Sequence, residues 1–363
     1  MGKLPTIYDV AEAAGVAPST VSRAFSRPGR LRAETVERVR VAAETIGYRS
    51  APARRLQVRA RTRMIGLLVP DMTNPFYFEI IRGAETAASE AGFTLVLADT
   101  QESQRLEREA LERALPVVDG MLLTSSRMAD SAITAAAGEK PLVVLNRAVA
   151  GVPSVTTDNA AGARRAVEHL AEQGHRSVAY VAGPRASWAD RVRWAATGAA
   201  AEELGIHIRR LGEYPPTLEG GVYAAQTLVA EAATGVICYN DVLAIGVIRG
   251  LDRLHVKVPT DISVVGFDNT LIADLVTPGL TTVAAPLSTL GSTAVQNLLA
   301  HVDGAESPPG DPVVLPTRLV VRGSTGRARS GHRAMPPTLR DTAADITSTR
   351  ATLDHVAGVL PAS

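Results

Sequence analysis

Ser19, Ser22 and Arg23 lie three and four positions apart in the run PSTVSRAF, so a helix there presents them on one face. Hydroxyls and a guanidinium fork on one helix face are the groups that reach base edges and phosphates in a major groove. Arg27 follows on the same side, and Thr6, Tyr8, Pro18 and Thr20 complete the candidate nucleic-acid contacts of this stretch. A second set is scattered along the chain but recurs at one kind of place, just after an apolar, strand-like run. Phe76 and Tyr77 follow MIGLLV, Trp188 and Arg191 follow SVAYVAG, Asn240 follows GVICY, and Asp268 follows ISVVGF. An arginine fork with a carboxylate satisfies paired hydroxyls or a polar ring edge, while an aromatic face covers the apolar side of a sugar or base. This is the chemistry of binding. No pair in these loops offers a nucleophile with its base, and no dinucleotide fingerprint, phosphate loop, G-x-S-x-G elbow or metal-ligand spacing is present, so no catalysis, cofactor or metal is expected.

The elements that must position the first set are two short helices meeting at one tight turn, TIYDVAEAAGVAPSTVSRAF, from Thr6 to Phe25. Thr6 caps the first helix, with Asp9 three residues on. Ala11 sits where the helices cross, Gly15 turns the chain with positive φ, Pro18 suits the first position of the second helix, and Val21 packs back on the first. Val10, Ala14, Val16 and Ala24 complete the buried face. A third helix, Ala33 to Ile46, carries Val36, Val39, Ala43 and Ile46 on one side, and Tyr48 closes the small core. Residues 49–63 are arginine-rich with Leu56 and Val58 as the larger apolar side chains. Such a run is either a plain basic tether or a segment that orders on DNA, with Arg54 and Arg55 on phosphates and Leu56 wedged into the minor groove. The charge is polarised to match: residues 1–63 carry a net +8 and the remainder −7. A polyanion therefore belongs at the N-terminal end.

From Met64 onward apolar strands alternate with helices, the pattern of a parallel, doubly wound sheet, and a second unit of the same kind begins near Ser177. MIGLLVPDMTNPF and SVAYVAGPRASWAD occupy equivalent places in the two. Helices are read through 79–91, 106–115, 192–204, 221–233 and 243–254. LTTVAAP (280–286) and the helix 290–301 read as the return to the first lobe, and VVLPTRLVVRGST as closing strands. A ligand belongs at the carboxyl ends of the strands, in the cleft between two such lobes. Blander roles stand beside the binding ones. Asn74-Pro75 forms the loop, Asp71 caps the next helix, one of Phe76 and Tyr77 is core, and Arg191 pairs with Asp190 on the surface. Asp268 needs a partner, which Arg191 or a ligand hydroxyl supplies.

The opening stretch resembles that of the lac/galactose repressor family, T-x-x-D-V-A-x-x-A-G-V-S-x-x-T-V-S-R. The match runs through Thr6, Asp9, Val10, Ala11, Ala14, Gly15, Val16, Thr20, Val21, Ser22 and Arg23, with Ala17 standing where the family has a capping serine. The resemblance implies a small all-α helix-turn-helix domain followed by an α/β, two-lobed domain of the periplasmic-binding-protein type (type I). It also implies a hinge helix around Leu56, and base reading by Pro18, Ser19 and Arg23. Phe76 and Tyr77 then stack on an effector that Arg191, Asn240 and Asp268 hydrogen-bond, with Trp188 added here as a further stacking residue. Ala285 departs from the family, which often has glutamine there.

The expected divisions are 1–48 for the DNA-binding domain, 49–63 for the hinge and 64–324 for the two-lobed domain. Its N-lobe spans 64–158 and 286–314, its C-lobe 159–285 and 315–324, and a polar, disordered tail occupies 325–363. In the tail Leu339, Ile346, Leu353 and Leu360 are spaced by seven, the pattern of a tetramerising coiled coil, but Pro336 and Pro337 and the unfilled seam positions favour no such helix. The expected function is a sequence-specific regulator, a repressor, whose operator affinity is set by a small molecule: a sugar first, a nucleobase second. The expected assembly is a homodimer, with a tetramer open. The alternative is a DNA-binding protein whose solute-binding-like domain is not coupled to DNA. With no leader pattern, no membrane-spanning run and one cysteine, a cytoplasmic, nucleoid-associated bacterial protein is expected.

Overall fold

The computed structural model describes residues 6–26, 31–45, 61–305 and 311–329, in two units divided between Thr62 and Arg63. Among the described residues the first unit holds three helices, α1 (Ile7–Ala14), α2 (Pro18–Ser26) and α3 (Ala33–Thr45). Asp9 closes a capping box on α1: its Oδ2 accepts from the Thr6 N–H at 2.5 Å and the Thr6 hydroxyl at 2.7 Å. Gly15 ends the helix at φ 61°, and Val16 N donates to Ala11 O at 3.0 Å. Val10, Ala11, Ala14, Val21, Ala24, Val39, Ala42 and Ala43 form one small core, with Val16 only half-buried. Side chains of this size bring the helices close but bury little area, so the unit rests on a thin apolar core. Ala17 stands where a cap would, and only its carbonyl serves α2, accepting from Thr20 N and Val21 N.

Among the described residues the second unit holds two lobes of six strands each. The first lobe runs β1 (Met64–Val69), α4 (Phe76–Glu90), β2 (Thr94–Asp99), α5 (Gln104–Ala114), β3 (Gly120–Thr124), α6 (Asp130–Ala137), β4 (Leu142–Leu145) and β5 (Ser154–Thr157). The second runs α7 (Asn159–Glu172), β6 (Ser177–Val181), α8 (Trp188–Glu203), β7 (His207–Leu211), α9 (Leu218–Val229), β8 (Gly235–Cys238), α10 (Asp241–Arg253), β9 (Ser263–Asp268) and β10 (Thr281–Ala284). Then α11 (Leu287–Val302) and β11 (Val313–Leu315) join the first lobe and β12 (Arg318–Val320) the second. Strand order is β11-β5-β4-β3-β1-β2 and β12-β10-β9-β8-β6-β7, parallel except for β10 with β12. In each sheet the order reverses beside the first strand, between β1 and β3 and between β6 and β8. In open sheets of this kind, ligands bind outside the carboxyl ends of the strands at such points.

Several readings of the sequence are corrected. LTTVA is a strand of the second sheet, paired with β9, and the return to the first lobe is made by α11, which packs on α4. The helices α6 and α7 and the strands β5 and β7 were not read from the sequence. Helix α8 begins at Trp188 and not at 192, because Ser187 caps it by accepting from Asp190 N. Residues 325–329 are no free tail: Ala328 N donates to Gln173 O, Gly326 N to Ser263 Oγ at 3.1 Å, and Arg329 pairs with Asp261. Arg27, Ile46, Tyr48, Arg54, Arg55, Leu56 and the leucines spaced by seven lie outside the described residues. Among the described residues no helix is long and apolar enough to cross a membrane, and no cluster of metal-ligating side chains occurs.

Candidate nucleic-acid interface and effector site

On the small unit Pro18, Ser19, Ser22 and Arg23 are exposed along α2, Thr20 is half-buried beside them, and Tyr8 on α1 is 70% exposed. The helix has no acidic residue in its first turn, and Arg23 stands in its last. Its exposed face is thus hydroxylated and basic, as groove entry requires.

In the larger unit the residues after the strands fall into two polar nests, one per lobe. In the first lobe Asn74, buried, caps the start of α4 by accepting from Phe76 N at 3.0 Å, whereas Asp71 closes a local turn on Thr73. Phe76 and Tyr77 therefore sit on the first helical turn, both buried, their rings edge to face at 4.9 Å. Both rings, and not one of the two, belong to the first-lobe core. The Tyr77 phenol lies near Arg127, Glu102 and Ser125 of its own lobe and Tyr239 of the other, and burial pushes its pKa well above the usual value. Arg127 donates from Nε to Glu102 Oε2 at 2.7 Å, and its N–H donates to the buried Glu107 carboxylate at 2.8 Å. Ser125 and Asn146, at the ends of the adjacent strands β3 and β4, both hold positive φ (48° and 55°), and Asn146 Nδ2 donates to Ser125 Oγ at 2.9 Å. Asn146 Oδ1, Thr124 Oγ1 and Arg147 Nε are buried and make no hydrogen bond within the described residues. Positive-φ residues and buried polar atoms thus gather at the ends of β3 and β4.

The second lobe corrects the predicted arginine. Arg191 is exposed, while Arg193, two residues on and on the buried face of α8, is the arginine that meets Asp268. Its Nε donates to Asn159 Oδ1 at 2.8 Å, Nη1 to Tyr239 O at 2.5 Å and Nη2 to Asp268 Oδ1 at 3.2 Å. The guanidinium also lies 3.6 Å from the Phe267 ring centroid. Arg193 thus answers the carboxylate that a strand-end Asp268 leaves to be paired. Nor does Asp190 pair with Arg191 on the surface. It is buried, accepting from Tyr180 Oη at 2.9 Å and Gly183 N at 3.0 Å on one oxygen and from Arg210 at 2.6 Å on the other. Asn240 caps α10, its Oδ1 accepting from Leu243 N at 3.0 Å, which leaves its amide nitrogen for any ligand. Trp188 is half-buried as the first residue of α8 and not in a loop. Ala285 is half-buried against the first-lobe core.

Tyr239 was not predicted. Its ring stacks over Arg193 at 5.3 Å and its hydroxyl meets Ser187 Oγ at 3.1 Å. Gly183 admits it, since a Cβ there would lie 2.4 Å from the Tyr239 ring. Arg193 was legible in principle. With Ser187 as cap and Asp190 three residues on, the helix starts at Trp188 and turns Asp190, Arg193 and Thr197 to one side.

Residues 6–50 match the model of bacterial regulatory proteins of the lacI family, and residues 167–325 that of a periplasmic binding protein-like domain. Over 328 residues the chain is 34% identical to the HTH-type transcriptional repressor CytR of Escherichia coli (strain K12), covering 88% of this chain and 96% of that one. The chain belongs to the lacI family. This lacI-family chain matches, at TM-score 0.65 and 31% identity, a solved Enterococcus faecium regulator of the family with bound ribose, over 73% of this chain and 100% of that one. It matches the lac repressor dimer bound to operator and the anti-inducer ONPF at TM-score 0.67 and 27% identity, over 89% and 100%. It is a DNA-binding transcriptional regulator, with a helix-turn-helix domain ahead of a two-lobed periplasmic-binding-like domain.

For such a regulator Arg23→Ala is expected to cost about 1–3 kcal/mol of operator binding and to relax preference at one base position. A binding series over singly substituted operators checks it. Equal weakening on every sequence would move Arg23 to a phosphate.

Proposed function

We propose that this regulator is a repressor that binds a near-palindromic operator as a homodimer and is switched by an uncharged sugar held between its lobes. The observation that carries the effector reading is the mouth formed at the two switch points. On one side stand Tyr77, Ser125 and Asn146, with buried polar atoms still unmet; on the other stand Tyr239, Arg193 and Asp268. The Arg127–Glu102 and Arg193–Asp268 pairings leave neither cation in excess, which suits hydroxyls better than a phosphate. The Enterococcus faecium relative crystallised with ribose supports a pentose as first choice; a nucleobase is second. Pro18, Ser19, Ser22 and Arg23 are assigned to the operator, together with Thr6, Tyr8 and Thr20. Of the effector residues first named, Tyr77, Asp268 and the Asn240 amide are kept, Arg193 replaces Arg191, and Trp188 stands at the rim. Leu271, Leu275 and Tyr223, apolar and exposed on the second lobe, support a surface that a second copy covers.

Thermal unfolding of the full chain against ribose, other pentoses and hexoses, sugar phosphates and nucleobases tests this. A ligand at 100 times its Kd adds about 2.7 kcal/mol of stability. Operator binding is then repeated with any hit. A sugar that both stabilises and shifts operator affinity is the expected result. A stabilising sugar with no effect on DNA restores the uncoupled alternative, and a phosphate or nucleobase hit overturns the sugar. Solution mass, with and without DNA, reads dimer against tetramer.

A further inference from the structure

The turn after β9 holds two successive residues in left-handed backbone, Asp268 (φ 113°) and Asn269 (φ 53°), and neither is glycine. Such backbone persists only where its surroundings hold it. The holding group is Asp241, the first residue of α10, fully buried. Its Oδ2 accepts from Thr270 N at 2.7 Å and from the Thr270 hydroxyl at 3.0 Å. Its Oδ1 accepts from the Thr282 hydroxyl at 2.5 Å, and that oxygen in turn accepts from Asn269 N at 3.2 Å. Both carboxylate oxygens are thus spent on the turn that carries Asp268 and on the strand beside it.

The same corner is out of charge balance. Asp241 and Asp268 are buried carboxyls, and among the described residues the one buried cation they face is Arg193 from α8. The other groups packed there do not redress this. Tyr239 and Phe267 present rings to Arg193, and Asn159, Thr270 and Thr282 are neutral. Arg322, which donates to Asn269 Oδ1 at 2.9 Å, is itself paired with Asp274 at 3.1 Å. Two carboxylates buried against one guanidinium cannot both ionise cheaply.

We propose that Asp241 is a positioning residue of the effector site: it fixes the 268–270 turn, shares one proton with Asp268 in the ligand-free protein, and that proton passes to solvent when an effector hydroxyl donates to Asp268. This rests on reading Asp268 as an effector contact. Burial pushes both carboxyls up, Asp268 to about 8 against the pull of Arg193 and Asp241 to about 6; the two titrate as a pair. A carboxyl raised by folding stabilises the fold fully below its unfolded pKa, near 4, and that contribution fades as pH rises through the folded value. The pair therefore makes the ligand-free protein lose stability between about pH 4 and pH 8, and makes the effector bind more tightly as pH rises through that window.

The test is an aspartate carboxyl NMR titration of the full-length protein, wild type and Asp241→Asn, followed by ribose binding at about pH 6 and about pH 8. Asparagine keeps the shape and one oxygen for the Thr270 N–H and hydroxyl, its amide nitrogen donating to the Thr282 oxygen in place of the acceptor there, while removing the charge. In the wild type one aspartate carboxyl titrates near neutrality, and ribose affinity rises by up to about tenfold per pH unit. In Asp241→Asn the neutral titration is gone, and ribose binds equally well at both values. If every aspartate in the wild type is ionised from about pH 6 upward, or if ribose binds the wild type with no pH dependence, the proposal is overturned. The wild-type titration decides even if the variant fails to fold. A protein that shows the neutral titration yet binds no sugar of the panel keeps the proton-sharing pair and loses the sugar reading, so the two failures are separable.

Discussion

Arg193→Ala is expected to lower the unfolding free energy of the two-lobed unit by about 3–5 kcal/mol, the usual cost of removing one partner of a buried ion pair. Nearly every contact of the side chain is internal. It holds Asn159 at the crossover into the second lobe, the Tyr239 carbonyl at the end of β8 and the Asp268 carboxylate at the end of β9, and it lies flat on Phe267. Alanine leaves Asp268 buried without a cation and Asn159 Oδ1 without its donor. For a unit of this size the midpoint falls by on the order of 10 °C. The loss is smaller below about pH 8, where the Asp268 carboxyl, pushed up to about 8 by burial, already holds a proton, and reaches its full size only above it, where alanine leaves a bare buried charge. Thermal or urea unfolding at two pH values checks both statements. A loss under about 1 kcal/mol would mean that Arg193 is not the strut of the site. Lysine is expected to rescue little, since one ammonium cannot span the three acceptors that the guanidinium fork reaches.

Asp190→Ala has the second largest expected effect, about 2–4 kcal/mol, from leaving the Tyr180 hydroxyl and the Gly183 N–H buried without an acceptor. These two groups and Arg210 tie the 182–190 loop to β6 and β7, and the loop carries Ser187, which both caps α8 and meets Tyr239. Asp190→Asn keeps an oxygen for Tyr180 and Gly183 but turns an amide N–H toward Arg210, losing both the charge and the acceptor there; the Arg210 side chain is partly exposed and can turn to solvent, so the cost is about 1 kcal/mol. Unfolding of the pair of variants separates the roles. Equal losses in both would assign the effect to the ion pair and not to the loop's hydrogen bonds.

Much of this was legible without coordinates, because it is local. The turn at Gly15, the Thr6–Asp9 cap, the exposure of Ser19, Ser22 and Arg23, and the strand-end position of Asp268 follow from residue type and helix or strand period alone. The chain's alternation of apolar strands and helices likewise implied two doubly wound lobes, and its charge polarity pointed the N-terminal end at a polyanion. What the sequence could not settle is which side chains meet across long separations. Arg191 and Arg193 are both arginines at the start of one helix, and a start placed four residues late leaves them equivalent. Only the packing of α8 on its sheet turns the second toward Asp268 and leaves the first in solvent. Asp190 beside Arg191 reads as a surface pair, yet its partners Tyr180, Gly183 and Arg210 come from other elements. Asp241, left ahead of a helix read from 243, became the brace of a turn 27 residues later because parallel pairing of β8, β9 and β10 brings Thr270 and Thr282 to it. Period and propensity decide which face of an element is buried; the fold decides what that face finds there, and buried charges, which must be answered by whatever they meet, take their roles from the tertiary structure.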